Sequence, residues 1–313
     1  MGPRIALVAL AVQAALAAPA PALARAQAPG PVEAVSLLGD TLRRPALAPA
    51  DERVAAAQLD SALARHAARP HDADATIWVA RRLGYLGRYR EAVDSLTASV
   101  ARHPADARLY RHRGHRYLTL RKLDSAAADL ERAGALIRGR PDEVEPDGQP
   151  NARGIPIGTL QSNVWYHLAL ARYLQGDYPR ALAAADAGMR VSGVPDRLVS
   201  QTYWRYLILR RLGRGAEARA ALAPIRADLP VIENASYHRL LLVFKGALPA
   251  DSLAGPLGSP SDLATAYGLS AWHALEGRPA AAAAARARIL ASGQWASFGY
   301  LAAEADEARA RRR

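Results

Sequence analysis

Along most of the chain, apolar residues recur at helical spacing in paired stretches. A stretch carrying large apolar side chains is followed by a short turn and then by a stretch rich in alanine. The turns resemble one another. Gly87-Arg88-Tyr89-Arg90-Glu91-Ala92 is echoed by Gly176-Asp177-Tyr178-Pro179-Arg180-Ala181, by Gly213-Arg214-Gly215-Ala216-Glu217-Ala218 and by Gly277-Arg278-Pro279-Ala280-Ala281-Ala282. A more degenerate version, Arg121-Lys122-Leu123-Asp124-Ser125-Ala126, begins 34 residues after Gly87, and Pro70 and Pro104 are also 34 residues apart. A repeat of this period predicts stacked helix–turn–helix units, here over 73–106, 107–140, 162–195, 199–232 and 263–296. A helix over 51–68 precedes them, and one over about 235–245 lies between the fourth and the fifth. One over about 294–311 follows, placed to cap the apolar face that the end of such an array leaves open.

Where the two helices of a unit cross, at its eighth and twentieth positions, a side chain larger than alanine would push them apart. The pairs there are Ala80 with Ala92, Gly114 with Ala126, Ala169 with Ala181, Tyr206 with Ala218, and Ser270 with Ala282; only Tyr206 clearly departs. As in the tetratricopeptide repeat that these units resemble, Tyr110 and Trp165 supply an aromatic at the fourth position, and Pro104 and Pro230 a terminating proline. Arg286 stands where a core aromatic is expected, which implies either a slip of register or a capping variant. On these positions, and on Leu83-Gly84-Tyr85-Leu86-Gly87-Arg88-Tyr89, Arg111-His112-Arg113-Gly114-His115-Arg116-Tyr117 and Ser162-Asn163-Val164-Trp165-Tyr166-His167-Leu168, the chain resembles bacterial tetratricopeptide-repeat (TPR) proteins. The resemblance implies an all-α, right-handed solenoid of TPR-like repeats over 50–313 and a protein-binding role. It brings no catalytic residues.

Composition adds where the chain works. Half of its 313 residues are hydrophobic, enough for a sizeable core. The net charge of +12 is carried almost wholly by scattered arginines, the only lysines being Lys122 and Lys245, so nucleic acid is not expected as a partner. The absence of cysteine excludes disulfides, thiolate metal sites and cysteine nucleophiles. Arg4, the apolar run from Ile5 to about Ala18, and the small-x-small site Ala24-Arg25-Ala26 read as a signal peptide over 1–26. A flexible Ala/Pro/Gly-rich linker is expected over 27–49. The mature chain is then expected in the periplasm or outside the cell, with no membrane span.

In such a superhelix the first helix of each unit lines a concave groove. The groove positions give Arg81, Arg108, Arg111, His115, Asn163, Tyr166, Tyr173, Tyr203, Arg210 and Arg211. Arginine forks two hydrogen bonds onto a carboxylate and tyrosine adds rigid apolar area, which points to a non-catalytic scaffold binding an acidic or C-terminal peptide segment of another extracytoplasmic protein. The Lys, Asn and Arg set by which some TPR domains grip a C-terminal carboxylate is not present at the matching positions. The irregular insert over 139–159 carries Asp142, Glu143, Glu145 and Asp147, and this acidic loop is expected to fold over the basic groove as an internal mimic of the ligand. Two further readings stand beside the scaffold. One is a metal-dependent hydrolase using His112, His115 and His167; the other is a structural assembly subunit. No cofactor motif is found.

Overall fold

The computed structural model describes residues 30–312; the leader expected over 1–26 lies outside the described residues. Thirteen α-helices among the described residues pack neighbour on neighbour into an all-α solenoid of TPR-like helix–turn–helix units. After α1 (Pro49–Ala68) come the hairpins α2 (Ala73–Tyr85) with α3 (Tyr89–Arg102), α4 (Ala107–Thr119) with α5 (Leu123–Leu136), and α6 (Leu160–Gln175) with α7 (Tyr178–Met189). Next are α8 (Pro195–Arg211) with the short α9 (Gly215–Ala221), then α10 (Ala235–Phe244), α11 (Pro260–Leu275) with α12 (Pro279–Ala291), and α13 (Phe298–Ala310). No helix among the described residues is long and apolar enough to cross a membrane.

Local chemistry explains the boundaries. Asp72, Asp106 and Asp177 accept backbone N–H groups at the starts of α2, α4 and α7, and Thr159 and Ser259 form capping boxes at α6 and α11. Each first helix of a hairpin turns over through a left-handed residue: Gly87, Arg121, Gly176, Gly213 and Gly277, with φ of 71°, 62°, 81°, 73° and 72°. Glycine adopts this conformation without a Cβ clash; Arg121 is the exception, and its side chain supplies the reason below. The crossing positions are filled as the motif requires. Ala80, Ala92, Ala126, Ala169, Ala181, Ala218 and Ala282 are buried, a Cβ on Gly114 would stand 2.8 Å from Leu130, and Ser270 Oγ donates to Ala282 O at 2.9 Å. The large Tyr206 is accommodated by stacking on Phe244 of α10 at 4.7 Å, opposite an α9 of only 7 residues.

Two features depart from the sequence expectation. Residues 32–43 are not linker: β1 (Val32–Val35) and β2 (Thr41–Arg43) form an antiparallel hairpin with Ala34 and Leu42 buried. Buried Glu33 accepts Arg44 Nη2 at 2.9 Å and the backbone N–H of Arg90 at 3.1 Å, fixing the hairpin to the start of α3. Two strands with one Gly-containing turn give too weak a period to be read from sequence. The second departure is the last helix. α13 packs on the last hairpin, α11 and α12, as a cap would, but it also reaches back to α6, so it lies on the inner, first-helix side of the array.

The closure is held by chemistry that also settles Arg286 and Arg121. Arg286 Nε donates to Glu307 Oε2 at 3.3 Å, so the position taken for a core aromatic faces α13. Arg121 donates to Thr119 O, Trp295 O and Glu304 Oε2 at 2.6, 2.8 and 2.6 Å. A Cβ on Gly299 would lie 2.3 Å from Leu263 O and 2.4 Å from its carbonyl carbon, both backbone atoms of α11 that cannot swing away. Gly299→Ala is therefore expected to cost about 1–3 kcal/mol, the usual range for overpacking, measured as a lowered urea midpoint; an unchanged midpoint would mean α13 is not seated this closely.

Candidate functional site

With α13 seated on the inner face, the expected groove is divided. Its C-terminal half is closed. Tyr203 is fully buried, stacked on Tyr237 at 4.4 Å, and belongs to the core rather than to a binding surface. Arg210 donates to Tyr206 Oη, Leu275 O and Glu276, locking α8 to the end of α11. Arg211 pairs with Asp306 of α13 at 2.7 Å and touches Tyr173 Oη, which is itself 2.6 Å from Tyr267 Oη. These four groove assignments fail for one reason: the chain's own C-terminal helices fill the space in which a ligand would lie. Arg108 fails separately, since its guanidinium folds back on the capping Asp106 at 2.7 Å, and it lines a different cleft with Pro104 and Glu143.

The N-terminal half stays open and brings together Arg81, Arg111, His115, Asn163 and Tyr166. An outer cleft of about 270 Å³ runs between α2, α4, α6, α8 and the insert, with Phe298 at its floor. Its walls carry both signs, Arg81, Arg111 and Arg197 against Glu145, Asp147 and Glu233. Burial raises the Glu233 carboxyl above its usual range, and the neighbouring Asp147 and Asp196 add to this. Tyr166 hydrogen-bonds Tyr237 Oη at 3.0 Å and packs on Phe298.

Beneath it lies an inner cavity of about 120 Å³ lined by Ala80, Arg81, Tyr85, Leu96, Arg111, His112, His115 and Arg116. Arg81 Nη1 donates to Pro146 O of the insert at 2.6 Å. Arg111 is buried; its Nη2 meets Glu145 at 2.9 Å and its Nη1 meets His112 Nδ1 at 3.1 Å, while its Nε has no partner. Burial lowers the Arg111 guanidinium, and brings that of Arg116 down to about 10, which leaves Arg116 charged at neutral pH. His112, His115 and His167 are held well below the ordinary histidine value, first by burial and then by the guanidiniums around them.

The insert over 139–159 is irregular but fixed. Leu160 N donates to Glu143 O at 2.8 Å and Glu145 N to Gly158 O at 3.1 Å, and Val144 bridges to Thr159. This places the Glu145 carboxylate between Arg111 and Asn163 Nδ2, the latter at 3.0 Å. The acidic loop thus lies over the basic site, through one carboxylate. The histidines do not form the metal set considered from sequence. His115 and His167 lie ring against ring at 4.5 Å, His167 Nδ1 is engaged with Asn163 O at 2.6 Å, and no metal-ligating group of three is found among the described residues. The sequence reading missed Arg116, which stands outside the expected groove positions. The available signal was Gly84, a glycine inside a helix: a Cβ there would lie 2.6 Å from Arg116 Nη1.

No family model matches the sequence, and no curated protein matches it either. Among solved structures, the chain is similar to YrrB, described as a TPR protein with an unusual peptide-binding site. The likeness is at 14% identity over 80% of this chain and 99% of that one, with a TM-score of 0.44. It is also similar to a chain of the Naa15/Naa10 complex bound to HypK-THB, at 14% identity and a TM-score of 0.36. That match covers 77% of this chain and 36% of the other, so it spans little more than a third of the longer protein.

Proposed function

We propose that this chain is a non-catalytic binding protein of the extracytoplasmic space, and that the open N-terminal half of its inner face takes an acidic or C-terminal peptide segment of a partner protein. The observation that carries the reading is Glu145, a carboxylate from an irregular loop, seated between buried Arg111 and Asn163. A partner's carboxylate would meet the same donors. Arg81 and Tyr166 flank that point and offer a second charge and an aromatic surface, the residue types that dominate binding energy at protein interfaces. Export rests on the leader read in residues 1–26.

The test is the affinity of a fluorescent Glu-rich hexapeptide, with free or amidated C-terminus, against its Gln-rich counterpart. The acidic peptide is expected to bind and the neutral one not. Hydrogen bonds to charged groups contribute about 1.5–3 kcal/mol, so Arg81→Gln should weaken binding about tenfold or more, whereas Arg108→Gln should leave it unchanged. Deleting residues 142–148 removes the internal carboxylate and should tighten binding. Equal binding of the neutral peptide, or indifference to Arg81→Gln, would overturn the reading. Unchanged affinity after the deletion would remove the role given to Glu145.

A further inference from the structure

The inner cavity holds more positive charge than its surroundings neutralise. Arg81, Arg111 and Arg116 all line it, yet the only carboxylate paired with any of the three, among the described residues, is Glu145 on Arg111. Among the described residues the Arg116 guanidinium hydrogen-bonds only the His115 ring, at 2.9 Å, and lies 5.7 Å from the centre of the Tyr89 ring. The nearby histidines are neutral. Two partly buried guanidiniums, Arg81 (bonded to Pro146 O) and Arg116, therefore stand without a paired anion in a half-open cleft, and charge withdrawn from water is ordinarily paired. The unpartnered Nε of Arg111, whose side chain is only 9% exposed, is a further unused donor on the wall of the same cavity. The volume of about 120 Å³ is that of about four waters, enough for a small tetrahedral oxyanion and too little for a peptide backbone with side chains.

We infer that this cavity is a subsite for a doubly charged oxyanion of the phosphate class, held by Arg81, Arg111 and Arg116, with Tyr85 and His115 as neutral donors at its wall. A single carboxylate would leave one of the two charges uncompensated. A phosphate group carries close to two negative charges at neutral pH and three strong acceptor oxygens, one for each guanidinium. Gly84 is part of the construction, because any side chain there would displace Arg116 Nη1. Glu145 competes for Arg111 from the mouth. The inference rests on the reading of this face as a binding site and names the anion that its inner end selects. Free phosphate and a phosphorylated side chain share this chemistry.

The experiment is calorimetric titration of the full chain with inorganic phosphate at constant ionic strength in chloride, repeated with a phosphoserine hexapeptide. One saturable phosphate site is expected, weakened at least tenfold in Arg116→Met and in Arg81→Gln, and tightened several-fold in Glu145→Gln. A phosphopeptide binding at least tenfold tighter than phosphate assigns the source to a modified partner. Equal or weaker binding assigns it to the free ion. Failure of phosphate to saturate, or equal affinity in all three variants, overturns the inference; Glu145→Gln carries the test should Arg116→Met not fold. Phosphate failing while the Glu-rich peptide still depends on Arg81 sinks this subsite alone. Phosphate binding without any acidic peptide binding sinks the peptide reading alone.

Discussion

Replacing Glu304 by alanine is expected to destabilise the protein by about 3–5 kcal/mol, the range for removing one partner of a buried ion pair. Glu304 is fully buried and its partner Arg121 is 3% exposed. The carboxylate accepts from Arg121 with both oxygens, Nη2 on Oε2 and Nε on Oε1, and Oε1 also accepts the backbone N–H of Leu37. It therefore joins α13, the α4–α5 turn and the N-terminal hairpin at one point. Without it the Arg121 guanidinium keeps its bonds to Thr119 O and Trp295 O but loses its counter-charge. Arg121 also carries a left-handed backbone, which costs an L-residue about 1–2 kcal/mol and is offset only while the side chain is engaged. Urea unfolding at neutral pH measures the loss, and proteolysis within residues 36–44 should accelerate as the hairpin loosens. Arg121→Gly relieves the backbone and removes the stranded charge, so combined with Glu304→Ala it should cost less than the sum of the single changes. A change below about 1 kcal/mol in Glu304→Ala would mean that the closure contributes little to stability.

The same closure explains which part of the molecule could be read from sequence. The hairpins were legible because local chemistry fixes them. Left-handed glycines, aspartate caps and small crossing residues each act within a few residues, and the repeat displays them several times. The path of α13 was not legible. Its seat depends on Gly299 meeting the backbone of α11, on Arg286 reaching Glu307, and on Arg121 reaching Glu304 across 183 residues of sequence. No periodicity reports such pairings. The groove positions were read as inner positions, but only an empty groove makes an inner position a binding position. Tyr203, Arg210 and Arg211 turned inward and met the chain itself, whereas Arg81, Arg111, His115, Asn163 and Tyr166 line clefts at the start of α13, from which, among the described residues, only Phe298 reaches them. Glu145 was anticipated in kind, since an acidic insert opposite basic helices has an electrostatic reason to fold onto them. Its register on Arg111 was not, because the insert is held by isolated backbone bonds at 143–145 and 158–160 rather than by a repeating ladder.

The buried histidines predict a steep loss of stability in mild acid. His112, His115 and His167 are held neutral in the folded chain, far below the ordinary value of 6.5, primarily by burial. Among the described residues the charged groups facing them are mostly cations: Arg81 from α2, Arg111 and Arg116 within α4, opposed by Glu145. Tyr85 from α2 is neutral, and α13 presents only Phe298. The unfolded chain binds protons on these side chains as pH falls through 6.5, while the folded chain does not. The stability they permit is therefore fully present above about pH 6.5 and is lost progressively below it, down to the folded values. Each proton bound only by the unfolded state contributes about 1.4 kcal/mol per pH unit, so three set a limiting slope of about 4 kcal/mol per pH unit. Unfolding free energies measured from pH 7.5 to 5 should approach that slope at the acid end. In the variant His112→Gln/His115→Gln/His167→Gln it should flatten, leaving a smaller contribution from His273, which is also lowered. A slope of one proton or less in the unmodified chain, or the same slope in the triple variant, would show that water or an anion reaches these rings and that the cavity around them is not closed. Saturating phosphate at pH 7.5, bound beside the guanidiniums, should raise stability, while the onset of the loss, set by the histidines of the unfolded chain, stays near pH 6.5.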